Sequence, residues 1–79
     1  MNNEKLSRLN DVLAEVFEVE KDSISYESRF VEDLNANSMK RVVIAAELEV
    51  LSGISFTPAK IKFMKTVSEL YTALKDWLE

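Results

Sequence analysis

The sequence predicts an all-α fold, a small four-helix bundle of three main helices and one short helix, with a long loop between the first and the second. Three observations predict it. Apolar residues recur at helical spacing in three separate windows. A Thr57-Pro58 pair is a good N-cap followed by proline at the first helical position, which marks the start of a fourth, shorter helix. β-Branched residues between Gly53 and Thr57 make a strand conceivable there, but it has no obvious partner.

The first helix runs from about Asn3 to Phe17. Leu6, Leu9, Leu13, Val16 and Phe17 share one stripe, with Lys5, Arg8, Asp11 and Glu15 mostly off it. The segment from Glu18 to Asn37 is long for a helix-to-helix connection, which usually takes roughly 2–8 residues. A loop of that length tends to be functional and needs apolar anchors; Ile24, Tyr26, Phe30, Val31 and Leu34 are the candidates, with a single helical turn near Arg29–Glu32. The second helix runs from about Ser38 to Leu51. Met39, Val42, Val43, Ala46 and Val50 recur at helical spacing, and Ile44, Ala45, Leu48 and Leu51 widen the apolar face, so this helix is expected to be the most buried. Gly53 ends it near the C-cap. The short helix covers Pro58–Met64, with Ile61 and Met64 inward. The third main helix runs from about Thr66 to Leu78, with Val67, Leu70, Tyr71, Leu74, Trp77 and Leu78 inward, and Thr66 followed by Glu69 reads as a capping box.

Composition narrows function by exclusion. The 79 residues suit one domain, residues 1–79, and a 47% apolar share supplies a core without staples. There is no cysteine and no histidine. That removes thiolate chemistry, the usual general base, the usual zinc ligand and every Ser-His or Cys-His pair, so a catalytic domain is not expected. Glu32, Asp33 and Asp22 are the nearest thing to a metal cluster, and such acids more often form a solvated face; no metal is expected. No apolar run reaches the roughly 20 residues of a membrane span, and "MNNEKLSRLN" lacks an apolar signal core, so a cytoplasmic protein is expected. Net charge is −4, unevenly spread: residues 1–37 hold four cations against nine acids, residues 38–79 six against five. An acidic chain without a basic stripe argues against nucleic-acid binding. A small acidic bundle with a polar surface is expected to be a monomer.

The stretch "DLNANSMKR", Asp33 to Arg41, raises a sharper question. Asn37 and Ser38 are both good N-cap residues, and a plain capping role for Ser38 explains its presence. Lys40 and Arg41, however, fall in the first helical turn, where they oppose the positive end of the helix dipole; an acid would stabilise. A local rule broken beside a lone hydroxyl suggests a site. A helix N-terminus is also a ready anion site, so a phosphodiester on Ser38 would meet backbone N–H groups, the dipole and two cations together. With no base in the chain to activate it, Ser38 makes sense as a substrate that another enzyme modifies.

With these residues in view, the sequence resembles the acyl carrier proteins. The likeness covers nearly the whole chain: "LNDVLAEVFEVEKDSISYESRFVEDLNANSM", with Phe30, Glu32, Asp33 and Leu34 just ahead of the serine, then "VVIAAELEVLSGISF" and "TVSELYTALKDWL". The resemblance implies 4'-phosphopantetheine carried covalently on Ser38, installed from coenzyme A by a phosphopantetheinyl transferase, with acyl groups held as thioesters for acyl-transferring or acyl-modifying enzymes of fatty-acid, polyketide or specialised lipid biosynthesis. It implies an acyl pocket near Phe30, Val43, Leu48, Phe56, Ile61 and Met64, residue types that serve equally as core. It implies partner docking around Asn37, Met39, Lys40, Arg41, Glu47 and Glu49.

The departures are specific. Asn37 stands where the family usually has Asp, and Met39 where it usually has Leu. Lys40 and Arg41 lie where fatty-acid carriers present acids to basic enzymes, although Glu47 and Glu49 remain acidic further along. These departures point to a specialised carrier. The same scaffold could instead be an unmodified helical interaction domain, which the Asn37 and cation departures favour. An aminoacyl or peptidyl carrier is a close relative, but such modules usually show glycines and a histidine ahead of the serine, and this chain has neither.

Overall fold

In the computed structural model, which describes residues 2–79, helical periodicity becomes helix in the expected order. Met1, the first residue of the expected domain, lies outside the described residues. Helix α1 spans Asn3–Phe17, α2 Ser38–Ser52, α3 Pro58–Phe63, α4 Val67–Ala73 and α5 Lys75–Leu78, with one 3-10 turn at Lys21–Ser23. Among the described residues there is no strand, only an isolated bridge between Arg29 and Thr66.

Each boundary has a local cause. The Asn2 side chain accepts a hydrogen bond from the Lys5 backbone N–H and opens α1. Thr57 does the same for Lys60 at α3, with Pro58 following. Gly53, at φ 74°, closes α2 in the left-handed conformation that glycine adopts without strain. The expected third main helix is interrupted. Leu74 leaves helical geometry (φ −101°, ψ 9°), and its N–H is shared between the Leu70 and Tyr71 carbonyls, tightening the turn that separates α4 from α5. Both halves keep one buried row, Leu70, Leu74 and Leu78, so the kink leaves the core face intact.

The expected capping box at α4 is also altered. Thr66 makes no side-chain cap; its hydroxyl pairs with Ser68 instead, and the Glu69 carboxylate accepts from the Lys65 N–H, one residue earlier than a box requires.

The core joins all the helices. Leu9, Leu13 and Phe17 come from α1, Ile44, Ala45 and Leu48 from α2, Ile61 from α3, and Val67, Leu70, Tyr71, Leu74 and Leu78 from the C-terminal pair. Phe30 and Leu34 plug it from the loop, with the Phe30 ring 5.7 Å from Phe17. Each fully buried side chain of this size contributes roughly 1.5–3 kcal/mol relative to exposure. Ile24 packs at the edge of the core. Tyr26, though more than half exposed, lies edge-on against the buried Tyr71 at 5.1 Å, whereas Val31 is more than half exposed and does not anchor. Alternation in an irregular loop carries no face information, so Phe30 and Leu34 take the inward positions and Val31 points out.

Candidate functional site

The loop delivers the start of α2 through a small hydrogen-bonded scaffold. Phe30 N–H donates to the Lys65 carbonyl at 3.0 Å, Val67 N–H to Ser28 at 2.9 Å, and Ser68 N–H to Tyr26 at 3.1 Å, which ties the loop to the α3–α4 junction. The expected helical turn is present as one i to i+4 bond, Asp33 N–H to the Arg29 carbonyl at 2.9 Å. Its ends are clamped: the Asp33 carboxylate accepts from the Arg29 backbone N–H at 2.8 Å and from its guanidinium at 3.2 and 3.3 Å. The side-chain hydrogen bond from Arg29 comes first in holding the Asp33 carboxyl below the usual range, and the same bond raises the Arg29 guanidinium. Ala36 N–H then returns to the Phe30 carbonyl at 2.8 Å, fixing the approach to Asn37.

At the helix tip the two candidate caps separate. Asn37 is the N-cap: its backbone is extended and its side-chain oxygen accepts from the Lys40 N–H at 2.9 Å. Ser38 is already helical, and among the described residues its exposed hydroxyl has no hydrogen-bond partner. Asn37, not Ser38, therefore supplies the side-chain cap of α2, and the Ser38 hydroxyl faces solvent. The chain has eight serines. Six are engaged: Ser7 accepts from Lys21, Ser23 bonds the Glu20 carbonyl, Ser25 and Ser28 pair, Ser52 bonds the Leu48 carbonyl, and Ser68 pairs with Thr66. Ser38 and Ser55 remain, and Ser38 alone of the two stands at a helix N-terminus.

Cations surround it. Ser38, Arg41 and Val42 of α2 line a depression of about 200 Å³ together with Pro58, Ala59 and Lys62 of α3. Lys62 also borders a second depression, of about 450 Å³, with Arg29, Val31, Glu32, Met64, Lys65 and Thr66. Among the described residues Arg29 is paired with Asp33 and Glu32, whereas Lys40, Arg41, Lys60, Lys62 and Lys65 have no carboxylate within ion-pair distance. Lys60 lies over the Phe56 ring at 5.1 Å. The sequence around Ser38 points only to Lys40 and Arg41, and the contribution of α3 comes from the fold. The signal was there: with Ile61 and Met64 inward, helical spacing leaves Lys62 and Lys65 outward.

Helix α2 corrects the expectation that it would be the most buried. Ile44, Ala45 and Leu48 face the core, with Leu51 half-buried. The other apolar row points to solvent: Met39 is 76% exposed, Val42 56%, Val43 44% and Val50 85%, with Ala46 also exposed. A helix with two apolar faces can bury only one against a bundle, and the other is left for something else. Of the expected pocket residues, Phe30, Leu48, Phe56 and Ile61 are buried together and Met64 is half-buried, but Val43 belongs to the outward row. Of the expected docking residues, Asn37 is consumed as a cap, Met39, Glu47 and Glu49 are exposed, and Lys40 and Arg41 are half-buried. No group of three acids among the described residues could hold a metal ion.

Comparison with known proteins adds a finding independent of this geometry. The family model for the phosphopantetheine attachment site matches residues 7–74. The chain is 32% identical over 73 residues to an acyl carrier protein of Lactobacillus acidophilus, covering 92% of this chain and 91% of that protein. It is 32% identical over 77 residues to an acyl carrier protein of Coprothermobacter proteolyticus, with 96% and 94% covered. An acyl carrier protein of Rickettsia canadensis is 33% identical over 66 residues, with 84% and 77% covered. The matched span contains all eight serines, so the choice among them rests on the geometry above.

Proposed function

The chain belongs to the acyl carrier protein family, and from that premise we propose that it carries acyl groups as thioesters on a 4'-phosphopantetheine arm joined to Ser38. The observation that carries the choice of Ser38 is its free, exposed hydroxyl in the first turn of α2, with the cap already supplied by Asn37. The residues present suit a phosphodiester there. Arg41 and Lys62 border the same depression as Ser38, and the N-terminal end of α2 favours negative charge. When attached, the arm supplies the thiol that this cysteine-free chain lacks.

The remaining work belongs to the protein's own residues. The chain has no histidine and no carboxylate lines the depression that Ser38 shares, so the transferase must supply the base that takes its proton. The outward row of α2, Met39, Val42, Val43, Ala46 and Val50, gives enzymes an apolar contact beside the arm, flanked by Lys40, Arg41, Glu47 and Glu49. The buried cluster of Phe30, Leu48, Phe56 and Ile61, with Met64 at its edge, is the apolar space into which a growing acyl chain would insert. The partners are a phosphopantetheinyl transferase and acyl-transferring or acyl-modifying enzymes of fatty-acid, polyketide or specialised lipid synthesis. The chain serves them as a cytoplasmic monomer. No helix among the described residues is long and apolar enough to cross a membrane.

The test is intact-mass spectrometry after incubation of the apo protein with coenzyme A, magnesium and each of several transferases. The wild type and Ser55→Ala gain one phosphopantetheine; Ser38→Ala gains none. Modification of Ser38→Ala, or an unmodified wild type across housekeeping and pathway-specific transferases, overturns the proposal.

A further inference from the structure

Resting on that carrier reading, we propose that the enzymes serving this chain meet it with an acidic docking face, an apolar cleft bordered by carboxylates on the side that faces α3. Charge is segregated around the site. Residues 38–65 hold five cations and two acids; the rest of the chain holds five cations and twelve acids. A molecule of net charge −4 therefore presents a positive segment where an enzyme must approach Ser38.

The positive groups form a band. Arg41 and Lys62 share the depression that Ser38 lines, and Lys62 shares the next one with Lys65. The carboxylate in that second depression, Glu32, is 3.5 Å from the Arg29 guanidinium, so it and Asp33 neutralise Arg29 rather than the lysines. The two acids of α2, Glu47 and Glu49, lie in its second half, which makes the helix basic at the Ser38 end and acidic at the other. Among the described residues none of these cations has a carboxylate within ion-pair distance: Lys40 and Arg41, half-buried, oppose the helix dipole, and Lys62 and Lys65 are exposed.

Val42 joins the two features, being part of the outward apolar row and of the depression that holds Arg41 and Lys62. Interfaces of this kind place apolar contact at the centre and charge at the rim. Rim charges act mainly on the rate of encounter and on the rejection of like-charged partners. The matching surface is apolar where it meets α2 and negative where it meets α3.

The experiment measures association by stopped flow, using Ser38→Ala apo protein so that binding is read without modification. The probes are a phosphopantetheinyl transferase with a basic carrier-binding face and a version of it with that face changed to glutamate. Association is expected to be about tenfold faster with the acidic version at low salt, within the range electrostatic steering gives, and to slow as salt rises. With the basic version it quickens as salt rises. Arg41→Glu, Lys62→Glu and Lys65→Glu together reverse the preference; Lys62→Glu with Lys65→Glu, both at exposed positions, shifts it the same way if the triple variant does not fold. A wild type that prefers the basic face, or a preference unmoved by either variant, overturns the proposal. So does equal association with both faces alongside salt-sensitive, Lys62- and Lys65-dependent binding to phosphatidylglycerol vesicles, which would assign the band to a lipid surface. Failure of the docking idea leaves the mass gain at Ser38 intact, and failure of the attachment reading shows in that mass alone.

Discussion

Helices α1 and α2 are each fifteen residues long, begin after an asparagine whose side chain accepts from the backbone N–H three residues on, and end in a left-handed residue, Glu18 in one and Gly53 in the other. They differ in two places. The first turn of α1 carries Glu4, which suits the helix dipole, whereas α2 has no acid there and carries Lys40 and Arg41 in its opening residues. The outward face of α1 is polar, with Glu4, Ser7, Arg8, Asp11 and Glu15 exposed; that of α2 is Met39, Val42, Val43, Ala46 and Val50. Length, caps and core row are what folding needs, and both helices have them. What α2 adds works against its own stability, so its cause lies in what the protein meets.

The two faces of α2 should therefore respond very differently to truncation. Leu48→Ala, at a fully buried position, is expected to destabilise by roughly 2–5 kcal/mol, as is Leu13→Ala on α1. Val50→Ala, at the most exposed large apolar side chain among the described residues, should stay within about 0.5 kcal/mol and lean towards stabilisation, because alanine is the better helix former. Urea unfolding followed by circular dichroism measures all three. A loss above about 1 kcal/mol for Val50→Ala would mean that the outward row packs within the fold after all.

Caps come next in size and should not distinguish the helices. Asn2→Ala and Asn37→Ala are each expected to lose about 1 kcal/mol. Asn37→Asp keeps the cap and adds a favourable charge at the dipole, so it should match or slightly exceed the wild type. First-turn charge should distinguish them by sign. Lys40→Glu with Arg41→Glu is expected to raise the melting temperature of the apo protein, through a few tenths to about 1 kcal/mol per site, while Glu4→Lys lowers it. Added salt shrinks both effects. If the two α2 changes destabilise, their cations serve the fold and the comparison fails.

Period-3.6 patterning located α1 to the residue and α2 within one, because caps and apolar spacing agree there. It could not tell which of two apolar rows on α2 faces in, since both have helical spacing and the choice is made by the position of α1 and α3. The break at Leu74 was illegible for a related reason: Leu70, Leu74 and Leu78 keep perfect register, so pattern alone predicts one helix. At the site, the sequence marked Ser38 and its two neighbouring cations but left cap and hydroxyl confounded, and only the Asn37 to Lys40 hydrogen bond separates them. Lys62 is more than twenty residues away in sequence and joins the site only through the packing of α3 on α2, with Lys65 bordering the next depression.

The helices also differ in how their starts are held, and acid should expose it. The start of α1 is tied to the end of the chain, with Asn2 N–H donating to the Leu78 carbonyl and the Lys5 ammonium to that of Trp77. The start of α2 hangs from the loop clamped by Arg29 and Asp33. The Arg29 hydrogen bonds hold the Asp33 carboxyl below its unfolded value, so its contribution is present above the ordinary aspartate range near pH 4 and is lost as pH falls through the lower, folded value. Asp33→Asn keeps an acceptor for the Arg29 backbone N–H but not the ion pair. It should therefore be slightly less stable than the wild type at neutral pH, with the gap closing only below about pH 4. Both groups are solvent-exposed, so the effect is the smallest of the series and is read best locally, as faster amide exchange at Arg29 and Ala36 with α1 unaffected. A gap between the variants that persists unchanged into acid would mean that the clamp acts through its backbone hydrogen bond and packing, and that the loop holds α2 without help from charge.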